Sequence, residues 1–170
     1  MVTGSAAGMF YGLTRATFDL DVVIELAPAR LDDFVAAFSE DCYCERSAVE
    51  EAVERGSMFN VIPLSGGMKT DFILLRDEPF EQAKFARRRQ LAWRPGTVWV
   101  IDPADLVLSK LVWARESRSQ RHLADVREIL ASAERVEQSS QTAAQEMRQC
   151  RPGRDAPARS ARALRANDRK

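Results

Sequence analysis

VTGSAAGMFYGLTRATFDLDVVIEL occupies residues 2–26, and its periodicity changes twice along the way. Met1-Val2-Thr3 reads as the end of a strand, residues 5–11 as a short helix, and Gly12 as the stop that ends it. From residue 18 the pattern switches to alternation. Leu20, Val22, Ile24 and Leu26 fall on one face, and Asp19, Asp21, Val23 and Glu25 on the other, which is the period of a strand. One face is built to pack; the other begins with two acids. Carboxylates at i and i+2 project from the same side of a strand roughly 6–7 Å apart at Cα, close enough to serve the same cations.

Working outward, residues 28–40 place Leu31, Phe34, Val35 and Phe38 on one helical stripe, and residues 47–55 read as a second helix, with Ser47 and Glu50 as a capping box and Gly56 as its stop. Two apolar, β-prone runs at 58–63 and 69–75 flank Ser65-Gly66-Gly67 and predict a hairpin, the second run interrupted by Asp71. Residues 88–93 and 97–101 predict another around Arg94-Pro95-Gly96. Asp102-Pro103 is a helix start, and helices are expected over 103–115 and 119–131. The expected architecture is α+β (α/β): a mixed β-sheet of about five strands flanked by helices, with C-terminal helices and a disordered basic tail. Residues 1–133 form the expected domain. Residues 134–150 read as a weak helix at best, and 151–170, rich in Arg, Ala, Pro and Ser, as disordered.

Composition narrows the classes. The chain has 170 residues and 19.1 kDa, suited to one domain, with 45% hydrophobic and 29% charged residues. No apolar run approaches the roughly 18 residues of a membrane span, and no secretion signal opens the chain, so a cytoplasmic protein away from membranes is expected. A net charge of +0 argues against coating nucleic acid by bulk attraction. That zero hides an asymmetry, since residues 151–170 carry seven Lys/Arg against two Asp/Glu. Without interleaved aromatics this tail reads as solvated rather than as a nucleic-acid arm, and Arg87-Arg88-Arg89 reads as a solvated sheet edge. Three cysteines, two of them in Cys42-x-Cys44, supply neither a disulfide framework nor zinc spacing. His122 reads as a helix-surface residue, and Trp93, Trp99 and Trp113 as packing.

The chemistry lies in Gly4-Ser5, Asp19-x-Asp21 and Asp71. A third carboxylate on a neighbouring strand completes an oxygen-rich set suited to Mg²⁺ or Mn²⁺, which take carboxylates together with phosphate oxygens. Gly4 lets the backbone approach a ligand, and Ser5 offers a hydroxyl and an amide at a helix start, so a triphosphate fits between turn and acids. Arg15 and Thr17 add a cation and a hydroxyl beside it. This pattern, Gly4-Ser5, thirteen intervening residues, Asp19-Leu20-Asp21 and a later Thr70-Asp71-Phe72, resembles the nucleotidyltransferase superfamily with the DNA polymerase β-type fold, in particular its small toxin-like members from abortive-infection and toxin–antitoxin systems. The resemblance covers roughly residues 1–132. It implies an enzyme that moves a nucleoside monophosphate from an NTP to a hydroxyl acceptor on RNA or protein. Asp19, Asp21 and Asp71 would hold Mg²⁺ or Mn²⁺, Asp71 would help deprotonate the acceptor, and an antitoxin or other protein would be a partner. It also implies that Lys110 and Asp125 join the site, Lys110 pairing with phosphate and Asp125 orienting either Lys110 or the acceptor. Related domains carry a helix and a full first strand before the turn, so a clipped strand or a start further upstream is expected, and the tail stands where they have a closing helical segment. The alternative is a catalytically inactive member of the fold acting as a binding module.

Overall fold

The computed structural model describes residues 1–149. The segment 151–170, expected to be disordered, lies outside the described residues. Met1–Arg135 form one compact unit, and Val136 onward a separate one.

In chain order the elements are α1 (Gly4–Phe10), β1 (Asp19–Ile24), a 3₁₀ turn (Pro28–Arg30) leading into α2 (Leu31–Phe38), β2 (Cys42–Tyr43), α3 (Arg46–Arg55), β3 (Met58–Pro63), β4 (Lys69–Leu74), α4 (Pro79–Ala86), β5 (Arg89–Trp93), β6 (Gly96–Val100), α5 (Pro103–Ser117) and α6 (Gln120–Gln149). The strands form a four-stranded sheet ordered β1-β4-β3-β2 and a two-stranded sheet β5-β6, in place of one sheet of about five strands. β1 runs parallel to β4, while β3 pairs antiparallel with both β4 and β2. Met1–Thr3 laces the two sheets together. Val2 bridges Val22 on one side and Val100 on the other, with Thr3 N–H donating to Asp21 O at 2.9 Å and Val2 N–H to Trp99 O at 2.7 Å.

The alternation of β1 divides the core except at Leu20, which packs on the side of Val23 and not with Val22, Ile24 and Leu26. Val22, Ile24 and Leu26 pack under α2 and α3 among Leu31, Val49, Ala52, Val61 and Leu74. There Phe34 meets Phe59 and Phe72 edge-on, with centroids 5.4 and 5.2 Å apart. Removing such a side chain from water contributes about 1.5–3 kcal/mol. Val23, on the other face, joins Met1, Ala7, Val100, Ile101, Leu106 and Ile129. The same face carries Asp19 and Asp21, so the acids begin where the second core ends.

Local signals decide most boundaries. Asp102 caps α5 by accepting from Ala104 N–H at 2.9 Å, with Pro103 in the first turn, and Gly56 ends α3 at φ 58°. The expected capping box at Ser47 does not form. Glu45 holds the N-cap, and the Ser47 hydroxyl donates to the Glu45 carboxylate at 2.8 Å. α6 also runs past 131 to Gln149, because no Gly or Pro interrupts it. Helix α5 is oriented against its apolar stripe: Leu106, Ser109 and Lys110 are buried, while Leu108, Leu111 and Val112 face out beside Phe80. Trp93 and Trp99 are substantially exposed on the β5-β6 hairpin, yet each has a packing partner: Trp93 lies 5.3 Å from the Phe10 ring and Trp99 beneath Arg88. Arg87 and Arg89 are committed to Asp105 and Asp102 at 2.7 Å, and Arg88 lies over the Phe85 and Trp99 rings, so the arginine run is absorbed by the chain's own acids and aromatics. Among the described residues no helix is long and apolar enough to cross a membrane.

Candidate functional site

The parallel register sets the centre of the site. Asp19 stands beside Lys69 and Asp21 beside Asp71, so four charged residues occupy neighbouring places on one face of β1 and β4. Strand neighbours lie about 4.8 Å apart, which brings the Asp21 and Asp71 carboxyls together. Asp71 is buried, at 6% exposure. Lys69 Nζ lies 2.9 Å from each of its oxygens but is aligned for a hydrogen bond only to Oδ2, leaving Oδ1 without a donor. Asp19 is held by the Thr17 hydroxyl, which donates to Oδ1 at 2.6 Å. Burial, with Asp19 and Asp71 adding like charge, raises the Asp21 carboxyl above its usual range, against the pull of Lys69 and Lys110. The hydrogen bond to Asp71 holds Lys69 above its usual value. Lys69 is the residue that sequence reasoning passed over; its i−2 spacing from Asp71 was the available signal.

The turn before the acids is tied to them through the backbone. The bond from Thr3 N–H to Asp21 O lays the start of α1 against β1. Gly4 adopts φ +65°, and a Cβ there would sit 1.8 Å from Asp21 Oδ2. Gly4→Ala is therefore expected to lower stability by about 2–4 kcal/mol, left-handed strain plus a clash. Gly56→Ala, with φ +58° but nothing within 4 Å, isolates the strain and should cost only about 1–2 kcal/mol. Denaturant titration of both variants checks the difference.

Behind the acids lies a buried ion network. Asp125, at 1% exposure, accepts from Arg15 Nε at 2.7 Å, Arg15 Nη2 at 2.8 Å and Lys110 Nζ at 2.7 Å. Arg15 Nη2 also donates to the Ser5 hydroxyl. Burial alone would raise Asp125, but hydrogen bonds from Arg15 and Lys110 outweigh it and bring the carboxyl down to about 2. Lys110 is fully buried. Asp125 thus orients both cations. In this arrangement Arg15 and Lys110 are committed to it, whereas the sequence reading aimed them at phosphate.

A cleft of about 560 Å³ opens over these residues, lined by Gly4, Ser5, Arg15, Thr17, Asp19, Asp21 and Lys110. Asp71, buried beside Asp21, is not among the residues that line it. Across the cleft stand Trp113 and His122, with rings 5.8 Å apart. His122 is therefore a cleft residue and not simply a helix-surface one. Burial, with Lys110 adding, lowers its pKa, and its Nδ1 has no partner.

Asp19, Asp21 and Asp71 match the oxygen chemistry of a divalent cation, and the donor-free Oδ1 of Asp71 is the kind of buried acceptor a cation satisfies. Among the described residues no three acidic, His or Cys side chains are drawn together as a finished cage. Lys69 supplies the counter-charge instead.

No family model matches the chain, and neither does any curated protein. Among solved structures, it is similar to the crystal structure of an antigenic nucleotidyltransferase-like protein from Paracoccidioides brasiliensis, with a TM-score of 0.50 and 16% identity, covering 77% of this chain and 65% of that one. The mixed sheet read from this chain and that likeness agree: the chain has a nucleotidyltransferase-like fold.

Proposed function

We propose that the protein transfers a nucleoside monophosphate from an NTP to a hydroxyl on RNA or protein, in the setting of a cytoplasmic toxin or abortive-infection factor with an antitoxin or other protein partner. The observation that carries this reading is the register of Asp21 with Asp71 beside the Gly4 turn. Asp19 and Asp21, with Asp71 behind them, would hold Mg²⁺ or Mn²⁺. When bound, the cation neutralises phosphate charge and favours departure of the diphosphate.

The chain's own residues supply the rest. Gly4 leaves room for phosphate oxygens against the backbone, and Ser5 and Arg15 border that space. Asp71 would help deprotonate the acceptor hydroxyl, which requires Lys69, 2.9 Å from both of its oxygens, to turn away and open the buried carboxyl to the cleft. The acceptor oxygen attacks the α-phosphorus as the bond to the β-phosphate breaks, and diphosphate leaves. Thr17 keeps Asp19 facing the cleft, and Asp125 keeps Arg15 at its edge.

Incubation with each of four α-labelled NTPs, with total RNA added or with the protein alone, is the test. Label transferred to RNA or to the chain in a Mn²⁺- or Mg²⁺-dependent way is the expected result; no transfer from any NTP overturns the catalytic reading. A second reading is favoured by Lys69, whose ammonium already neutralises the acids. In that reading the fold is retained for binding alone, and labelling fails while the folded chain still captures its partner.

A further inference from the structure

Phe18 is 88% exposed, far more than any other large apolar side chain among the described residues. It stands between Thr17 and Asp19 and lines the same cleft as Gly4, Ser5 and Asp21. It belongs to neither hydrophobic core. The loop that carries it is nevertheless well fastened. Thr14 N–H and its hydroxyl donate to Glu128 Oε1 at 2.9 and 2.5 Å, Arg15 grips Asp125, and Thr17 grips Asp19. A phenyl ring is thus held in water by a pinned loop at the mouth of a polar, carboxylate-bearing cleft. Packing explains its neighbours and not the ring itself. The other aromatic of the cleft, Trp113, is half-buried and already tilted against His122.

We propose that Phe18 is the base-stacking platform of the cleft, taking one face of the nucleobase of a nucleoside triphosphate whose phosphates lie toward Gly4 and Ser5. The proposal rests on the nucleotide reading of the site and adds what holds the base. An exposed ring offers a π-face to a planar heterocycle and recognises no hydrogen-bond pattern, so purines and pyrimidines are both accepted. The site then discriminates among the four bases weakly. Affinity for the base and affinity for the phosphates come from separate parts of the cleft.

The test is calorimetric titration of the full chain with Mn²⁺ and each of the four NTPs, and with inorganic tripolyphosphate as a probe that has no base. Parent, Phe18→Ala and Phe18→Tyr are compared. Loss of stacking in Phe18→Ala is expected to weaken every NTP by about 10- to 100-fold and by a similar factor for each. Tripolyphosphate binding should stay within twofold of the parent, and Phe18→Tyr should restore NTP affinity. Thermal midpoints should not move, since the ring is 88% exposed. NTP affinities unchanged in Phe18→Ala, or tripolyphosphate weakened as much as the NTPs, overturn the stacking role while leaving the nucleotide reading intact. A parent that binds neither NTP nor tripolyphosphate overturns both.

Discussion

Asp125→Ala should unfold far more easily than the parent, by about 3–5 kcal/mol, because the change strands a fully buried Lys110 ammonium and releases Arg15. Removing one partner of a buried ion pair costs more than the pair contributes, since the remaining charge has neither water nor counter-charge. The double change Lys110→Met with Asp125→Leu removes the whole charge pair, and is expected to recover much of that loss. Urea denaturation of the three chains measures the difference. Equal stability of Asp125→Ala and the parent would mean that Lys110 reaches water.

The same carboxylate sets a pH dependence. Asp125 sits at about 2 in the folded chain against an ordinary 3.8. Its folded pKa is depressed, so its contribution is complete above the ordinary value and disappears as pH falls toward 2. The shift corresponds to about 2 kcal/mol. The parent should therefore lose stability between pH 4 and 2 more steeply than Asp125→Asn, which has no proton to take up at that position.

The second large effect is on chemistry. Asp21→Asn keeps the shape of the side chain and removes its charge from the centre of the acidic face, next to Asp71 and against Gly4. Loss of one charge-bearing group at a phosphoryl-transfer site typically lowers the rate about 10³-fold or more. Stability should hold or rise, because Asp21 is partly buried beside two like charges that raise its pKa. Falling transfer with unchanged folding distinguishes a reacting-site residue from a structural one; transfer at the parental rate would remove Asp21 from the mechanism.

Much of this arrangement was legible in the sequence because it depends on strand periodicity, which is local. Asp19 and Asp21 share a face by simple alternation, and Asp71 stands out as an acid inside an apolar strand. The left-handed glycine stop after α3 and the Asp102 cap were equally local. Other parts required tertiary information. Arg15 looked free for phosphate because the carboxylate that pairs with it, Asp125, lies 110 positions away. The apolar stripe Leu108, Leu111 and Val112 is left exposed on α5, because Lys110, held by Asp125, turns the opposite face inward. Helix α4 escaped notice because its only buried side chain is Lys84, paired to Glu81 at 2.7 Å, so it has almost no apolar period. Strand β2, two residues long, is too short for alternation to show.

Lys69 bears on how a cation and the acids meet. Its ammonium is bound to Asp71 and attracted by Asp19 and Asp21, so it offsets the repulsion that three adjacent carboxylates would otherwise feel. A triphosphate with one divalent ion remains net negative, so Lys69, on a half-exposed side chain, would be drawn from the acids toward phosphate when such a complex binds.

The most direct measurement is calorimetric titration of Mn²⁺ into the folded chain in the presence of NTP, comparing the parent with Asp19→Ala and Asp21→Ala. Saturable binding by the parent, weakened at least tenfold in each variant, is the predicted result. Three indistinguishable titrations would contradict the claim that these carboxylates gather around a metal–nucleotide complex.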